Sequence, residues 1–265
     1  MRIVRFVFLI IVSVPFFAAS FAQQAPPASS AQAVKLLQQA LAALNPGAPT
    51  SDVTMTGNAE YINGSEDEIG TATVKAVGAD SSVVLALPSG TRSEVRSTSN
   101  GQPFGTWKGA DGVSHKIPFH NLLTEPAWFF PLFAVNRGLS QTGYLAVYVG
   151  QETRGDKTVE HLSISQIFSV LSVGQSPNLQ PLSQIEIYLD STTFLPNAVT
   201  FTIHPDNNEL LDIPIEISYS DYRVTNGVQV PFHVQRFLNN GLVLDLQFQN
   251  ATLNSGLTTS QFGTQ

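Results

Sequence analysis

The chain has 265 residues, no cysteine, a formal net charge of −7 and only 12% charged residues. This excludes disulfides and thiolate metal sites, and it offers no cluster of Lys and Arg for nucleic acid or an anionic membrane surface. Stability must come from buried apolar area, for which the length suffices.

At the N-terminus, Arg2 and Arg5 precede an apolar run from Val7 to Val14, and Ser20-Phe21-Ala22 supplies the small residues a signal peptidase reads. We expect an export signal over residues 1–22, cleaved after Ala22. A membrane anchor is the alternative, but the run meets Pro15 short of the roughly 20 apolar residues that span a bilayer. No cysteine follows to carry a lipid, so the expected location is the periplasm or the exterior.

Residues 23–30 form a Pro/Ala/Ser linker. From Ala31 to Leu44, Val34, Leu37, Leu41 and Leu44 recur at helical spacing, with Lys35 and Gln38 opposite. Ser29 or Ser30 caps this helix, and Asn45-Pro46-Gly47 ends it. It either lies in the mouth of a sheet or covers a sheet edge.

Alternation of period two begins at Val53. Val53, Met55 and Tyr61 share a parity, as do Val83, Leu85 and Leu87, and Thr71 to Val77 lies between them. Asn63-Gly64, Gly78-Ala79-Asp80, Pro88-Ser89-Gly90 and Asn100-Gly101 mark turns. Phe104–Trp107 and Val113–Ile117 make a further hairpin. The acidic tip Glu66-Asp67-Glu68 lacks the glycine and spacing of a calcium loop and reads as a solvated face.

His120 to Arg137 breaks the strand pattern. Leu122, Leu123, Trp128, Phe129, Phe130, Leu132, Phe133 and Val135 crowd into one run interrupted by Pro126 and Pro131. The prolines predict two short helices, or one helix and an irregular arm. Burying a single Phe or Leu contributes about 1.5–3 kcal/mol, so this run must be inserted into the fold, as a ligand-lining lid or as a core plug. Tyr144–Glu152 and Thr158–Ser165 pair across Arg154-Gly155-Asp156-Lys157. Residues 166–183 are long for a hairpin loop and are expected to form a flap.

The last third carries the clearest strands. Ile185, Ile187 and Leu189 alternate with Glu186 and Tyr188, and Val199, Phe201 and Ile203 alternate with Thr200 and Thr202. Ile213, Ile215, Ile217 and Tyr219 share one parity, and so do Val228, Val230, Phe232 and Val234. Leu242, Leu244, Leu246 and Phe248 stand opposite Asp245, Gln247 and Gln249. Asp206-Asn207-Asn208, Asn226-Gly227 and Asn240-Gly241 supply turns between antiparallel neighbours.

Two segments here carry a family resemblance. Leu189-Asp190-Ser191-Thr192-Thr193-Phe194-Leu195-Pro196 is followed by Tyr219-Ser220-Asp221-Tyr222-Arg223, Asn226-Gly227-Val228 and Pro231. They resemble the D-x-x-T-x-L-P and Y-x-D-Y-R-x-x-N-G-V-x-x-P stretches of the periplasmic lipoprotein-carrier (LolA/LolB-like) superfamily, which includes outer-membrane lipoprotein-sorting proteins. Asn254-Ser255-Gly256-Leu257 and Phe262 are similar to the end of such chains. The resemblance covers the last quarter to third of the sequence. It implies a mainly β (α+β) domain over residues 31–265: one strongly curved antiparallel half-barrel of about a dozen strands, with N-terminal and mid-chain helices on the concave face.

In the carriers that concavity holds acyl chains. The resemblance therefore implies a hydrophobic ligand or a lipoprotein acyl chain as partner. Expected lining residues from the mid-chain run are Leu122, Leu123, Trp128, Phe129, Phe130, Leu132 and Phe133. The sheet would contribute Phe201, Ile215, Ile217, Leu244 and Leu246.

Reactive chemistry is sparse. His115, His120, His161, His204 and His233 are scattered, and no Gly-x-Ser-x-Gly elbow or phosphate loop is present. Asp190 reads as closing an Asx turn, and Asp221 and Arg223 as a structural pair. Asn63 and Asn250 sit in glycosylation-type triplets, with nothing to indicate a compartment that uses them. No catalytic residue, metal or cofactor is expected. The leading expectation is a non-enzymatic, monomeric carrier in transient contact with a membrane. The alternatives are an envelope scaffold that binds a protein partner and has a filled interior, and a transmembrane β-barrel. Covering helices and an end without a terminal Phe argue against the barrel.

Overall fold

The computed structural model describes residues 28–262 except 48, 100, 101, 125, 126, 141 and 169–178. The expected export signal, most of the linker and the middle of the expected flap lie outside the described residues. Helix α1 (Ala31–Leu44) precedes six strands: β1 (Asp52–Asn63), β2 (Glu66–Val77), β3 (Asp80–Leu87), β4 (Gly90–Ser99), β5 (Gln102–Lys108) and β6 (Ser114–Lys116). A connection then holds a 3-10 turn (Phe119–Leu122) and helix α2 (Pro131–Leu139). Next come β7 (Tyr144–Arg154), β8 (Lys157–Gln166), a short helix α3 (Leu179–Leu182), β9 (Ile185–Asp190) and β10 (Pro196–Ile203). The chain closes with β11 (Ile213–Thr225), β12 (Val228–Leu238), β13 (Gly241–Leu253) and a 3-10 turn at Thr259–Phe262.

All thirteen strands join one open antiparallel sheet in the order β6-β5-β4-β3-β2-β1-β13-β12-β11-β10-β9-β8-β7. It consists of two meanders, β1–β6 and β7–β13, joined where β1 pairs with β13. The turn residues do what their chemistry allows. Asn226 and Gly227, between β11 and β12, have φ of +50° and +84°, the conformation a two-residue hairpin loop requires. In β1 the register against β13 shifts at Thr56/Gly57, where a Cβ on Gly57 would overlap the Gln247 carbonyl.

This topology dictates where the aromatic arm goes. β6 and β7 are opposite edges of the sheet, so the chain joining them must cross from one rim to the other. It crosses the concave face. Trp128, Phe129, Phe130, Leu132 and Phe133 are all at most 7% exposed, in one apolar cluster with α1 and the inward residues of both meanders. Asn121 straps the start of the crossing. Its Nδ2 donates to the His204 carbonyl at 2.7 Å, its Oδ1 accepts from His204 N–H at 2.8 Å, and its own carbonyl accepts from Arg96 of β4 at 3.0 Å.

Pro131 opens α2 at a position where its missing N–H costs nothing. α1 begins on the edge strand: Ser30 Oγ caps Ala33 N–H at 3.2 Å and accepts from Tyr148 N–H at 3.1 Å, while Ser29 Oγ accepts from Ala146 N–H at 2.9 Å. The buried stripe of α1 is Ala33, Leu36, Leu37, Ala40 and Leu44. Val34 and Leu41, expected inside, are half-buried. The helix is rotated so that its small alanines face its neighbours, and Gly138 of α2 lies against the side-chain ends of Leu37 and Ile164, which a Cβ there would push aside.

Candidate ligand-binding site

The trough has two unlike ends. One is filled by α1 and α2. The other, where β1, β3, β5, β10 and β12 finish and β4, β11 and β13 begin, holds a cavity of about 360 Å3. Its floor is Trp128. Its apolar wall is Val83, Leu85, Ile203, Ile215, Leu238 and Leu244, and Trp107 stands at the rim, 42% exposed.

Cross-strand register explains why these residues meet. Tyr61 faces Leu244, which faces Arg236, and Ile215 faces Leu238. On the other wing, Leu85 faces Arg92, and Val83 faces Glu94, which faces Trp107. Side chains of directly opposed residues project to the same face, here the concave one.

Charge enters this apolar wall. Glu94 accepts from Arg96 Nε at 2.7 Å; burial would raise its carboxyl, but Arg96 and then Arg236 outweigh burial and hold it below the usual range. Arg92 lies 4.6 Å over the Tyr61 ring and 3.7 Å from Glu68, whose carboxylate is fixed by Ser89 N–H at 2.7 Å. The Arg236 guanidinium stands 5.4 Å over the Trp128 ring. Among the described residues it has no hydrogen-bond or ion-pair partner. Trp128 Nε1 and Arg92 Nε are buried donors that also lack a partner.

Of the residues expected to line the ligand, Trp128, Ile215 and Leu244 line this cavity. Phe129, Phe130, Leu132, Ile217 and Leu246 are packed in the core. Phe133 is in the core too and borders a small cavity beside Asn136 and Arg137. Leu122 and Leu123 line a separate cavity of about 320 Å3 with Phe104, Tyr144 and Phe168. Phe201 borders a groove of about 580 Å3 that also touches Ile215 and carries Glu186, Glu209, Asp212 and Glu216. That groove is larger but too acidic for an acyl chain.

Tyr61, Arg92 and Arg236 are cavity residues that sequence reasoning did not single out. The sequence held one signal. Val228, Val230, Phe232 and Val234 share a parity, and Arg236 continues it, a charge where the alternation calls for an apolar side chain.

The motif residues are structural. Asp190 Oδ1 accepts from the N–H groups of Thr192 and Thr193 at 3.0 and 2.8 Å, closing the β9–β10 turn. Arg223 pairs with Asp221 at 2.5 Å on the surface. On the outer face, His233 Nδ1 meets Ser220 Oγ at 3.0 Å and its Nε2 meets Asp245 at 3.0 Å. Ser220 is exposed and lies on the opposite side of the sheet from the trough. Among the described residues no cluster of three or more His, Cys, Asp or Glu is placed to hold a metal.

Comparison with solved structures retrieves proteins of the same fold. A domain from Vibrio parahaemolyticus, described as an outer membrane lipoprotein-sorting protein, superposes with a TM-score of 0.56 at 12% identity, over 87% of this chain and 96% of that one. The fold is LolA-like. A LolA superfamily protein from Nitrosomonas europaea gives a TM-score of 0.52 at 12% identity, over 88% of this chain and 97% of its own. A DUF1329 family protein from Desulfovibrio piger gives 0.53 at 9% identity, over 88% and 96%. By sequence, the chain matches no family profile and no curated protein. No described helix is long and apolar enough to cross a membrane.

Proposed function

We propose that this protein is a non-enzymatic carrier of the bacterial envelope that holds an acyl chain or similar apolar ligand at the open end of its LolA-like trough. The observation that carries this reading is the cavity over Trp128, about 360 Å3 with an apolar wall, left where the helices stop filling the concavity. That volume falls within the roughly 300–1,000 Å3 of small-ligand pockets. An export signal over residues 1–22 would place the protein in the periplasm or outside the cell, where acyl chains need shielding from water. The test is mass spectrometry of organic extracts from natively purified protein. A stoichiometric lipid supports the carrier, and its loss on Trp128→Glu ties it to the cavity.

A second reading has one observation in its favour. The edge strand β7, whose Ala146 and Tyr148 N–H groups are taken by Ser29 and Ser30, exposes Val147 and Val149 at 41% and 56%, so a protein partner could dock on that apolar surface. A lipid-free protein that recovers a stoichiometric polypeptide partner, lost on Val149→Lys, would favour this scaffold role.

A further inference from the structure

The cavity wall is not neutral. Arg92, Lys108 and Arg236 line it against a single carboxylate, Glu94, and that carboxylate is engaged by Arg96. Arg236 is the sharpest case. It occupies a core-parity position on β12, and burial draws its guanidinium below the usual value against the pull of Glu94. Arginine nevertheless remains cationic in proteins. Arg236 is half-buried and, among the described residues, is answered only by the Trp128 ring and by the longer-range pull of Glu94, and a charge partly withdrawn from water without hydrogen-bond acceptors is costly. Its retention beside an open cavity therefore points to a partner that arrives with the ligand.

The unpaired donors make the same point independently. Trp128 Nε1 and Arg92 Nε are buried with no acceptor among the described residues, and Trp128 is only 2% exposed. Both residues line the cavity with Arg236. The three groups present N–H donors and no acceptor, and a guanidinium fork matches the oxygens of a carboxylate or phosphate. The apolar wall beside them suits a hydrocarbon, and about 360 Å3 leaves room for one chain, not several.

We infer that the cavity selects a single-chain amphiphile with an anionic head, a carboxylate or a phosphate. The head oxygens are held by Arg236, Arg92 and the Trp128 indole, and the chain lies on the Val83–Leu244 wall. This rests on the carrier reading and adds to it the chemistry of the ligand's head.

The experiment is calorimetric titration of the purified full chain with oleate, oleoyl lysophosphatidate, oleyl alcohol and inorganic phosphate, each below its aggregation concentration. Both anionic amphiphiles should bind at least about tenfold more tightly than oleyl alcohol, as expected for one charge-assisted contact. Phosphate without a chain should not compete. Arg236→Gln should weaken the anions about tenfold more than it weakens the alcohol, removing most of the preference, while Arg236→Lys should keep part of it. Equal wild-type affinity for alcohol and anions overturns the headgroup inference and leaves the carrier reading standing. Phosphate binding as tightly as the amphiphiles, or Arg236→Gln weakening alcohol and anions alike, overturns it too. No binding of any chain overturns both.

Discussion

A deeply buried polar contact helps to hold the aromatic arm in the trough, and removing it has a calculable effect. Tyr219 Oη donates to the Trp128 carbonyl at 2.6 Å, and the two residues are 3% and 2% exposed. In Tyr219→Phe the ring still fills its place, so almost no apolar burial is lost. The Trp128 carbonyl loses this donor in a setting water does not reach, which costs about 1–3 kcal/mol. For a domain of this size a loss of about 2 kcal/mol lowers Tm by about 4–8 °C. Tyr222→Phe is the matched control. Its hydroxyl donates to the Pro196 carbonyl at 2.8 Å, on the same strand but away from the arm. Thermal unfolding should show a drop for both variants, and Trp emission should shift only in Tyr219→Phe, because only that change loosens the residue carrying the indole. A Tyr219→Phe protein with unchanged Tm and unchanged emission would refute the claim that this bond fixes the arm.

Three further outcomes follow from particular contacts. Gly57→Ala should destabilise by about 1–3 kcal/mol in urea unfolding, because its Cβ meets the rigid backbone of Gln247 and Phe248, not a side chain that can move aside. Asp80 is buried, accepts from Thr98 N–H at 2.8 Å through Oδ1 and leaves Oδ2 unpaired, so burial pushes its carboxyl up. A raised folded pKa means the fold favours the protonated form and loses stability as pH rises, so Asp80→Asn should match or exceed wild-type stability at pH 7, and a clear drop in Tm would contradict this. Asp52 runs the other way. Burial alone would raise it, but Ser255 N–H and Oγ at 2.8 and 2.7 Å, with Ser51 Oγ and Gly256 N–H, hold it low. Its contribution is present above the unfolded Asp value of about 3.9 and lost as pH falls below it. Urea midpoints from neutral pH down to about pH 3 should therefore fall less steeply for Asp52→Asn than for wild type.

Much of this architecture is written in local pattern. The alternation of Ile213 to Tyr219 and of Val228 to Val234 marks strands because only a two-residue period puts each set on one face. The Asn226-Gly227 turn fixes their pairing. The arm from Trp128 to Phe133 is legible because so many rings in succession have no alternative to burial. What sequence conceals is non-local. Nothing near β1 says that it pairs with β13, and only that pairing makes β6 and β7 opposite rims and sends the arm across the trough. Local kinks hide parity in the same way. Asp221 has φ of +49°, and the β11–β12 register runs on past it unshifted with Asp221 and Phe232 left unpaired, so Tyr222 beyond the kink turns inward while Arg223 reaches back to Asp221. The His233 contacts with Ser220 and Asp245 arise from two hairpin registers at once and leave no motif in the chain. Arg236 was visible as a charge out of pattern, but its meaning depends on the cavity left beside it.

The chain has two tryptophans, and one of them lies on the floor of the cavity. In a Trp107→Phe background only Trp128 emits, so a brominated fatty acid reports directly on whether an acyl chain enters. Quenching of Trp128 should saturate at one chain per protein and be relieved by unbrominated oleate. Quenching confined to a Trp128→Phe protein, where only the rim residue Trp107 remains, would place the chain on the surface and contradict the trough as the binding site.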